Sequence, residues 1–190
     1  MRIAPKPLAA EDEEVVAATR AWLERAVIGL NLCPFAKAVH LKNQIRYAVS
    51  TAQTPEDLLA DLVAELRILQ AANASEIETT LLVHPGVLAD FSDYNDFLEL
   101  ADAALAGEGL EGEIQTASFH PHYQFAGTRP EDIENCSNRS PYPMLHLLRE
   151  ASIARAVANF PDASQIFKRN IATLRRLGRD GWRRLWLDKG

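Results

Sequence analysis

The run ETTLLVHPG, residues 78–86, decides the expected fold, because Leu81, Leu82 and Val83 are apolar on consecutive positions. A short apolar run of this kind is typical of a strand that is covered on both faces of its sheet. The HPG sequence that follows Val83 ends the strand with residues that favour turns. The run therefore predicts a buried strand with helices packed on either side.

Two further strands are predicted on either side of this run, at residues 44–50 and 113–119. Helices are predicted between the strands, at residues 54–72 and 93–106, because apolar residues recur there at helical spacing. Thr54-Pro55-Glu56-Asp57 has the cap, proline and acidic residues that begin a helix. Strands joined by crossovers of this length predict right-handed βαβ units.

The predicted fold is α/β, with a small sheet of three or four strands that is largely parallel or mixed. A helix from Glu11 precedes it, and two or more helices from Pro143 onward follow it. Three strands make a narrow sheet, so an antiparallel strand from the long loop or a homodimer is expected to extend it. An α+β arrangement is the alternative. Residues 1–10 are predicted to be a flexible tail, and residues 11–190 a single globular domain.

Composition restricts the class of partner. The chain has 190 residues and a formal net charge of −6, which argues against a general role in nucleic-acid binding. No apolar run is long enough to span a membrane, and the first residues do not form a secretory signal, so a cytoplasmic location is expected. The basic residues of the C-terminal helix are interpreted as a solvated face: Lys168, Arg169, Arg175, Arg176, Arg179, Arg183, Arg184 and Lys189.

A long segment without helical or strand periodicity, residues 121–141, is the expected functional loop. Connections of this length in a compact domain are either functional or disordered. The aromatic residues Tyr123 and Phe125 argue against disorder.

Histidines follow two of the predicted strands, and parallel strands place their carboxyl ends at one edge, where ligands bind in open α/β sheets. His84, His120, His122 and Cys136 are therefore a candidate site for zinc or iron. His120, His122, Cys136 and Arg139 are the candidate catalytic residues. The structural alternative is that the histidines cap backbone carbonyls at the strand ends.

The loop also carries residues suited to binding an anion. Arg129 and Arg139 can hold a phosphate or carboxylate through paired hydrogen bonds. The candidate ligand-binding residues are Arg129, Asn135, Asn138 and Tyr123. Equally, short polar side chains in such a loop can bond to their own backbone in Asx turns.

Cys33-Pro34-Phe35-Ala36 resembles the active-site start of some glutathione transferases, in which a helix N-terminus lowers the pKa of the thiol. There a strand precedes the cysteine, whereas the residues before Cys33 have helical periodicity. A buried structural cysteine is the favoured interpretation.

Five long blocks resemble the family known as domain of unknown function 1415: WLERAVIGLNLCPFA, LLVHP, DFSDYNDFL, ASFHPHYQFAGT and ENCSNRSPYPMLHLLRE. The resemblance extends from about Val16 to Leu185. It implies no reaction, cofactor or catalytic residue.

Three hypotheses of function follow from the residues. The first is a small enzyme that acts on a small anionic molecule, as a metal-assisted hydrolase. The second is a domain that binds or senses a small ligand without turnover. The third is a thiol-redox protein that uses Cys33, Cys136 or both.

Overall fold

The computed structural model describes residues 9–158 and 164–186. Most of the predicted tail, residues 1–8, lies outside this range. Helix α1 (Ala10–Trp22) continues directly into a π-helix (Leu23–Ile28). After it come α2 (Ala36–Leu41), β1 (Ile45–Val49), α3 (Pro55–Ala71), β2 (Thr79–Val83), α4 (Phe91–Gly107), β3 (Ile114–Phe119), a 3₁₀ helix (Ile133–Asn138), β4 (Met144–Arg149), α5 (Glu150–Ala158) and α6 (Ser164–Arg184).

The four strands form one mixed sheet in the order β1-β2-β4-β3. β1 and β2 are parallel, whereas β4 is antiparallel to both of its neighbours. β1, β2 and β3 therefore point in the same direction, and β4 separates β2 from β3. The predicted α/β fold is confirmed, with its sheet in the mixed form and an antiparallel strand as the addition.

The segment that begins at Pro143 is β4, so the prediction of a helix there is wrong. Met144, Leu145 and Leu147 are fully buried, because β4 is a central strand with a helical layer on each face. A strand covered on both faces has apolar residues on consecutive positions, and a short run of this kind matches helical spacing equally well. The C-terminal helices begin only at Glu150.

Alternate residues of the sheet pack into two separate apolar cores. On one face Leu82, Leu145 and Leu147 contact the apolar sides of α3 and α4. On the other face Leu81, Val83 and Met144 contact α1, the π-helix and the end of α6. This alternation is the period of two that an extended strand imposes. Along the part of the chain that the structure describes, no helix has the length and apolar character needed to cross a membrane.

The end of β4 is tied to the α3 layer by Arg149. Its guanidinium donates to the carbonyl oxygens of Leu69 at 2.6 Å, Ala72 at 2.8 Å and Ile77 at 3.1 Å. Two of these carbonyls belong to the last turn of α3 and its cap, where helix carbonyls have no partner within the helix. A single side chain thus satisfies several backbone acceptors at the junction of α3 and β2.

We predict that Arg149→Met lowers the free energy of unfolding by roughly 3 kcal/mol, because the partly buried carbonyls lose a charged donor that no neighbour replaces. Urea denaturation would measure the loss. Arg67→Met is the matched control, since Arg67 makes a two-point bond to Glu108 with its side chain 66% exposed. The control should leave the urea midpoint nearly unchanged. Equal shifts in the two variants would contradict the assigned role of Arg149.

Candidate functional site

The carboxyl ends of β1, β2 and β3 meet at one edge of the sheet, as their shared direction requires. His84 follows β2 and His120 follows β3, and both side chains are fully buried. Tyr94 of α4 lies between them, with its ring centroid 5.8 Å from that of His84 and 5.0 Å from that of His120. The structure therefore places two of the predicted histidines at the predicted edge, separated by an aromatic ring.

The hydroxyl of Tyr94 joins β3 to β4 at this edge. It donates to the carbonyl oxygen of Met144 at 2.8 Å and accepts from the amide of Phe119 at 3.0 Å. Burial raises the pKa of Tyr94 well above its ordinary value, so the hydroxyl keeps its proton and serves both strands. Tyr94 is a structural residue that the sequence-based prediction of the edge does not include.

Both ring nitrogens of His120 are occupied by the backbone. Nε2 lies 3.1 Å from the carbonyl oxygen of Leu88, and Nδ1 accepts from the amide of His122 at 3.0 Å. This pairing requires a neutral ring with its proton on Nε2. Burial lowers the pKa of His120 in agreement with that state. His120 is therefore arranged as a backbone cap, which is the structural alternative expected from the sequence.

His84 is held in a neutral state as well. Its Nδ1 donates to the carbonyl oxygen of Val87 at 3.1 Å, while Nε2 is buried without a partner among the residues that the structure describes. Burial lowers the pKa of His84 to about 4. Desolvation also lowers the pKa of His146 in β4 to about 4, and its Nε2 donates to the Thr79 hydroxyl.

The four residues of the predicted metal set have different surroundings. His84 and His120 are buried at the sheet edge, His122 is exposed, and Cys136 lies in a separate apolar cluster with Leu32 and Leu174. Across residues 9–158 and 164–186, no group of three or more His, Cys, Asp or Glu side chains is placed to hold a metal ion. The described residues thus do not assemble the predicted zinc or iron set.

Asn135 and Asn138 hold the loop together. The buried Asn135 accepts from the amide of Phe125 and the hydroxyl of Thr128, and it donates to the carbonyl oxygen of Arg129 at 2.8 Å. Asn138 donates to the carbonyl oxygen of Ser118 at 3.1 Å. The side-chain amides of Asn135 and Asn138, which were expected to bind a ligand, are thus bonded to the loop and to β3.

Two further residues predicted to bind ligand have other contacts. Arg129 forms an ion pair with Asp132 at 3.1 Å, and its side chain is 81% exposed. Tyr123 packs against Phe91 and Phe125, with ring centroids 5.2 Å and 5.0 Å away. Both belong to the loop, but neither lines the pocket described next.

A pocket of about 270 Å³ lies between the 3₁₀ helix and the last turns of α6. Two residues predicted from the sequence, Cys136 and Arg139, form part of its wall. The other lining residues are Pro130, Glu131, Ile133, Arg179, Trp182 and Arg183. Three arginines therefore line one small pocket in a chain whose net charge is negative.

Backbone carbonyls hold two of these guanidinium groups in place. Arg139 donates from Nη2 to the carbonyl oxygen of Pro130 at 2.6 Å and from Nε to that of Tyr123 at 3.2 Å. Arg179 donates to the carbonyl oxygen of Glu131. Since both anchors are on the same loop, the two arginines have fixed positions relative to each other. A positioned pair of guanidinium groups suits a carboxylate or a phosphate.

A break in α6 brings its last turns to the pocket. Gly178 has φ 66° and ψ 174°, a backbone conformation that only glycine adopts readily. Beyond it, Arg179, Trp182 and Arg183 face the loop. The sequence-based prediction of the site does not include these three residues, because it assigns the C-terminal arginines to a solvated face. The signal that could have found them is Gly178 within an otherwise helical, arginine-rich pattern.

Neither cysteine has the electrostatic surroundings of a reactive thiolate. Burial raises the pKa of Cys136, although Arg139 and Arg179 oppose the effect. Burial also raises the pKa of Cys33, against the backbone N–H groups of Phe35 and Ala36. Reactive thiols have a lowered pKa instead. The residues before Cys33 form the π-helix and a turn, so the strand expected of a glutathione-transferase site is missing at this position.

Comparison with known protein families identifies the family of this chain. A family model described as protein of unknown function, DUF1415, matches residues 14–184. The chain belongs to this family. No curated protein and no solved structure matches it. The geometry of its own residues is therefore what indicates the function of this DUF1415 protein.

Acid should destabilise the DUF1415 fold through its buried histidines. A histidine that is neutral in the fold but free to protonate in the unfolded chain favours unfolding at low pH. We expect the free energy of unfolding to fall as the pH drops from about 6.5, the unfolded pKa, to about 4, the folded pKa of His84 and His146. Above about pH 6.5 these two histidines are mostly neutral in both states, so their protonation no longer lowers the free energy of unfolding.

His84→Asn tests this assignment, because the asparagine amide can still donate toward Val87 but does not titrate. Over the same window, its slope of unfolding free energy against pH should be smaller than that of the wild type by about 1.4 kcal/mol per pH unit. Urea denaturation at several pH values gives the slope. Gln70→Asn is the control, because Gln70 is exposed and does not titrate, so this variant should keep the wild-type slope. An unchanged slope in His84→Asn would show that His84 is not neutral in the fold.

Gly178→Ala should disturb the pocket more than the sheet. A Cβ in this conformation costs on the order of 1–3 kcal/mol, and straightening the break would move Arg179, Trp182 and Arg183 away from the loop. We expect quenching of tryptophan fluorescence by acrylamide to increase, with far-ultraviolet circular dichroism nearly unchanged. Gly107→Ala is the control, because Gly107 is helical with open space at its Cβ. Equal quenching in Gly178→Ala and the wild type would count against the role of the break.

Proposed function

We propose that this DUF1415 protein binds a small anionic molecule in the pocket between the 3₁₀ helix and the last turns of α6. The observation that carries this proposal is the presence of Arg139, Arg179 and Arg183 around one pocket. They come from two elements that are distant in sequence, and similar charges repel one another when no anion is present. Such an arrangement favours a negatively charged occupant.

The positions of the arginines support binding further. Arg139 and Arg179 are already held by backbone carbonyls of the loop, so ordering them around a ligand costs little additional side-chain entropy. Trp182 and Ile133 add apolar surface to the same wall. A few fixed polar groups in a partly apolar wall are typical of small-molecule sites.

Binding without turnover is the form of the proposal that the contacts support best. A histidine-based hydrolase has less support, because the ring nitrogens of His120 and the Nδ1 of His84 are engaged with backbone carbonyls or an amide. Thiol redox through Cys33 or Cys136 has less support because burial raises both pKa values.

The test is isothermal titration of the full chain with sodium sulfate and sodium phosphate in a dilute buffer that contains neither anion. We expect one site, whose affinity falls as sodium chloride is added. Arg179→Gln and Arg183→Gln should each weaken binding roughly tenfold or more, since each removes a charged hydrogen-bond donor.

Arg176→Gln is the matched control. Arg176 is an exposed arginine of the same helix that does not line the pocket, so its loss should leave the affinity nearly unchanged. The proposal fails if neither anion binds to the folded wild type. It also fails if all three variants bind as the wild type does, because the anion would then occupy another place.

A further inference from the structure

The charge balance of the pocket indicates the charge of its occupant. Arg139, Arg179 and Arg183 are positive, and Glu131 is the one carboxylate among the described lining residues, which leaves two positive charges in excess. Asp180 approaches Arg183 at 3.7 Å but does not line the pocket, and its side chain is 81% exposed. Both side chains of this pair are exposed, Arg183 at 71%, so water screens their attraction, and the excess of two is the charge of the lining residues alone.

The arginines also retain hydrogen-bond donors for a ligand. A guanidinium has five N–H groups. Backbone carbonyls in the described part of the chain accept from Nε and Nη2 of Arg139 and from Nη2 of Arg179. These bonds restrict the orientation of the guanidinium groups of Arg139 and Arg179, whereas Arg183 lies 3.7 Å from Asp180. N–H groups that these contacts do not use can donate to the oxygens of an anion. A tetrahedral oxyanion can accept several such bonds at once.

The size of the pocket limits what is attached to the anion. Sites for drug-sized ligands measure about 300–1,000 Å³, and this pocket is slightly smaller, at about 270 Å³. A charged group with a short carbon chain fits this space. Ile133, Cys136 and Trp182 supply the apolar wall against which the carbon chain would pack.

We propose that the pocket selects the doubly charged form of a small phosphate monoester over singly charged anions of the same shape. This inference rests on the proposed anion-binding function and adds the charge and class of the ligand. Two excess positive charges match a phosphate monoester dianion, and its oxygens match the planar forks of arginine. A monoanion would leave one of these charges without a partner.

The pH dependence separates the dianion from a monoanion. The second pKa of a phosphate monoester is about 6, so the dianion predominates at about pH 7.5 and the monoanion at about pH 5. A sulfate monoester has the same shape but only one charge in this range. The described lining contains no histidine. Burial raises the pKa of Cys136, so its thiol stays neutral over the same range.

Two acidic groups of the loop, Asp132 and Glu134, keep their charge as well. Backbone and side-chain contacts with Arg129 lower the pKa of Asp132, and Arg175 lowers that of Glu134. Glu131 lines the pocket and Asp180 lies beside Arg183, and any effect of these two carboxylates acts on both esters alike, so methyl sulfate is the reference for them. A gain in affinity between about pH 5 and about pH 7.5 that is specific to the phosphate ester would therefore come from the ligand.

The experiment is titration of the full chain with methyl phosphate and with methyl sulfate, at about pH 5 and about pH 7.5. At the higher pH we expect methyl phosphate to bind at least tenfold more tightly than methyl sulfate. At the lower pH the two affinities should converge. Glu131→Gln, which removes the carboxylate but keeps the backbone carbonyl that Arg179 uses, should strengthen the binding of methyl phosphate severalfold.

The outcomes distinguish this inference from the proposal beneath it. Equal affinities of the two esters at both pH values would overturn the preference for a dianion while leaving anion binding intact. Absence of binding by both esters, together with absence of binding by sulfate and phosphate, would overturn both proposals. A preference for methyl phosphate that persists unchanged in Arg183→Gln would place the selective site elsewhere and overturn the assignment to this pocket.

Discussion

Hydrogen bonding along both edges of β4 is the constraint on which the rest of the structure depends. β4 separates β2 from β3, so the chain must leave β3 and return antiparallel beside it. An antiparallel pair needs only a short turn, yet residues 120–143 intervene. The residues between β3 and β4 fold at the carboxyl edge of the sheet. There the side chain of Asn138 donates to the carbonyl oxygen of Ser118, and its backbone carbonyl accepts from the amide of His120. The position of β4 thus determines where the pocket-forming loop lies.

The same edge explains why its histidines bond to the backbone. Where strands end, their last amides and carbonyls need partners, and unpaired buried groups are costly. Tyr94 bridges Met144 and Phe119, while His84 and His120 satisfy backbone groups of the turn after β2. Neutral imidazole suits this task, because each ring has one donor and one acceptor. The sequence positions of these histidines, directly after predicted strands, therefore predict where they lie but not which bonds they make.

Local sequence patterns predict much of this fold, and the predictions that are wrong have physical causes. The buried strand at Leu81–Val83 and the helix capped by Thr54 are confirmed, because each depends on residues close in sequence. β4 is misassigned, since burial on both faces removes the alternation that identifies a strand. Cys136 and Arg139 lie at the pocket as local composition suggests. A break at Gly178 brings Arg179 and Arg183 to the pocket. Contacts between segments that are distant in sequence leave no periodic pattern from which they could be predicted.

The net charge of the chain does not predict what the C-terminal arginines contact. Arg175 pairs with Glu134 at 2.7 Å, and Arg179 bonds to the backbone of Glu131, so part of the basic set attaches α6 to the loop. Arg183 lies beside them and faces the pocket. Helix docking and the proposed anion binding therefore involve the same surface. A ligand held by residues of both elements would stabilise the docked helix by its binding free energy, as linkage requires. The proposed anion binding would thus be thermodynamically coupled to the attachment of α6 to the loop.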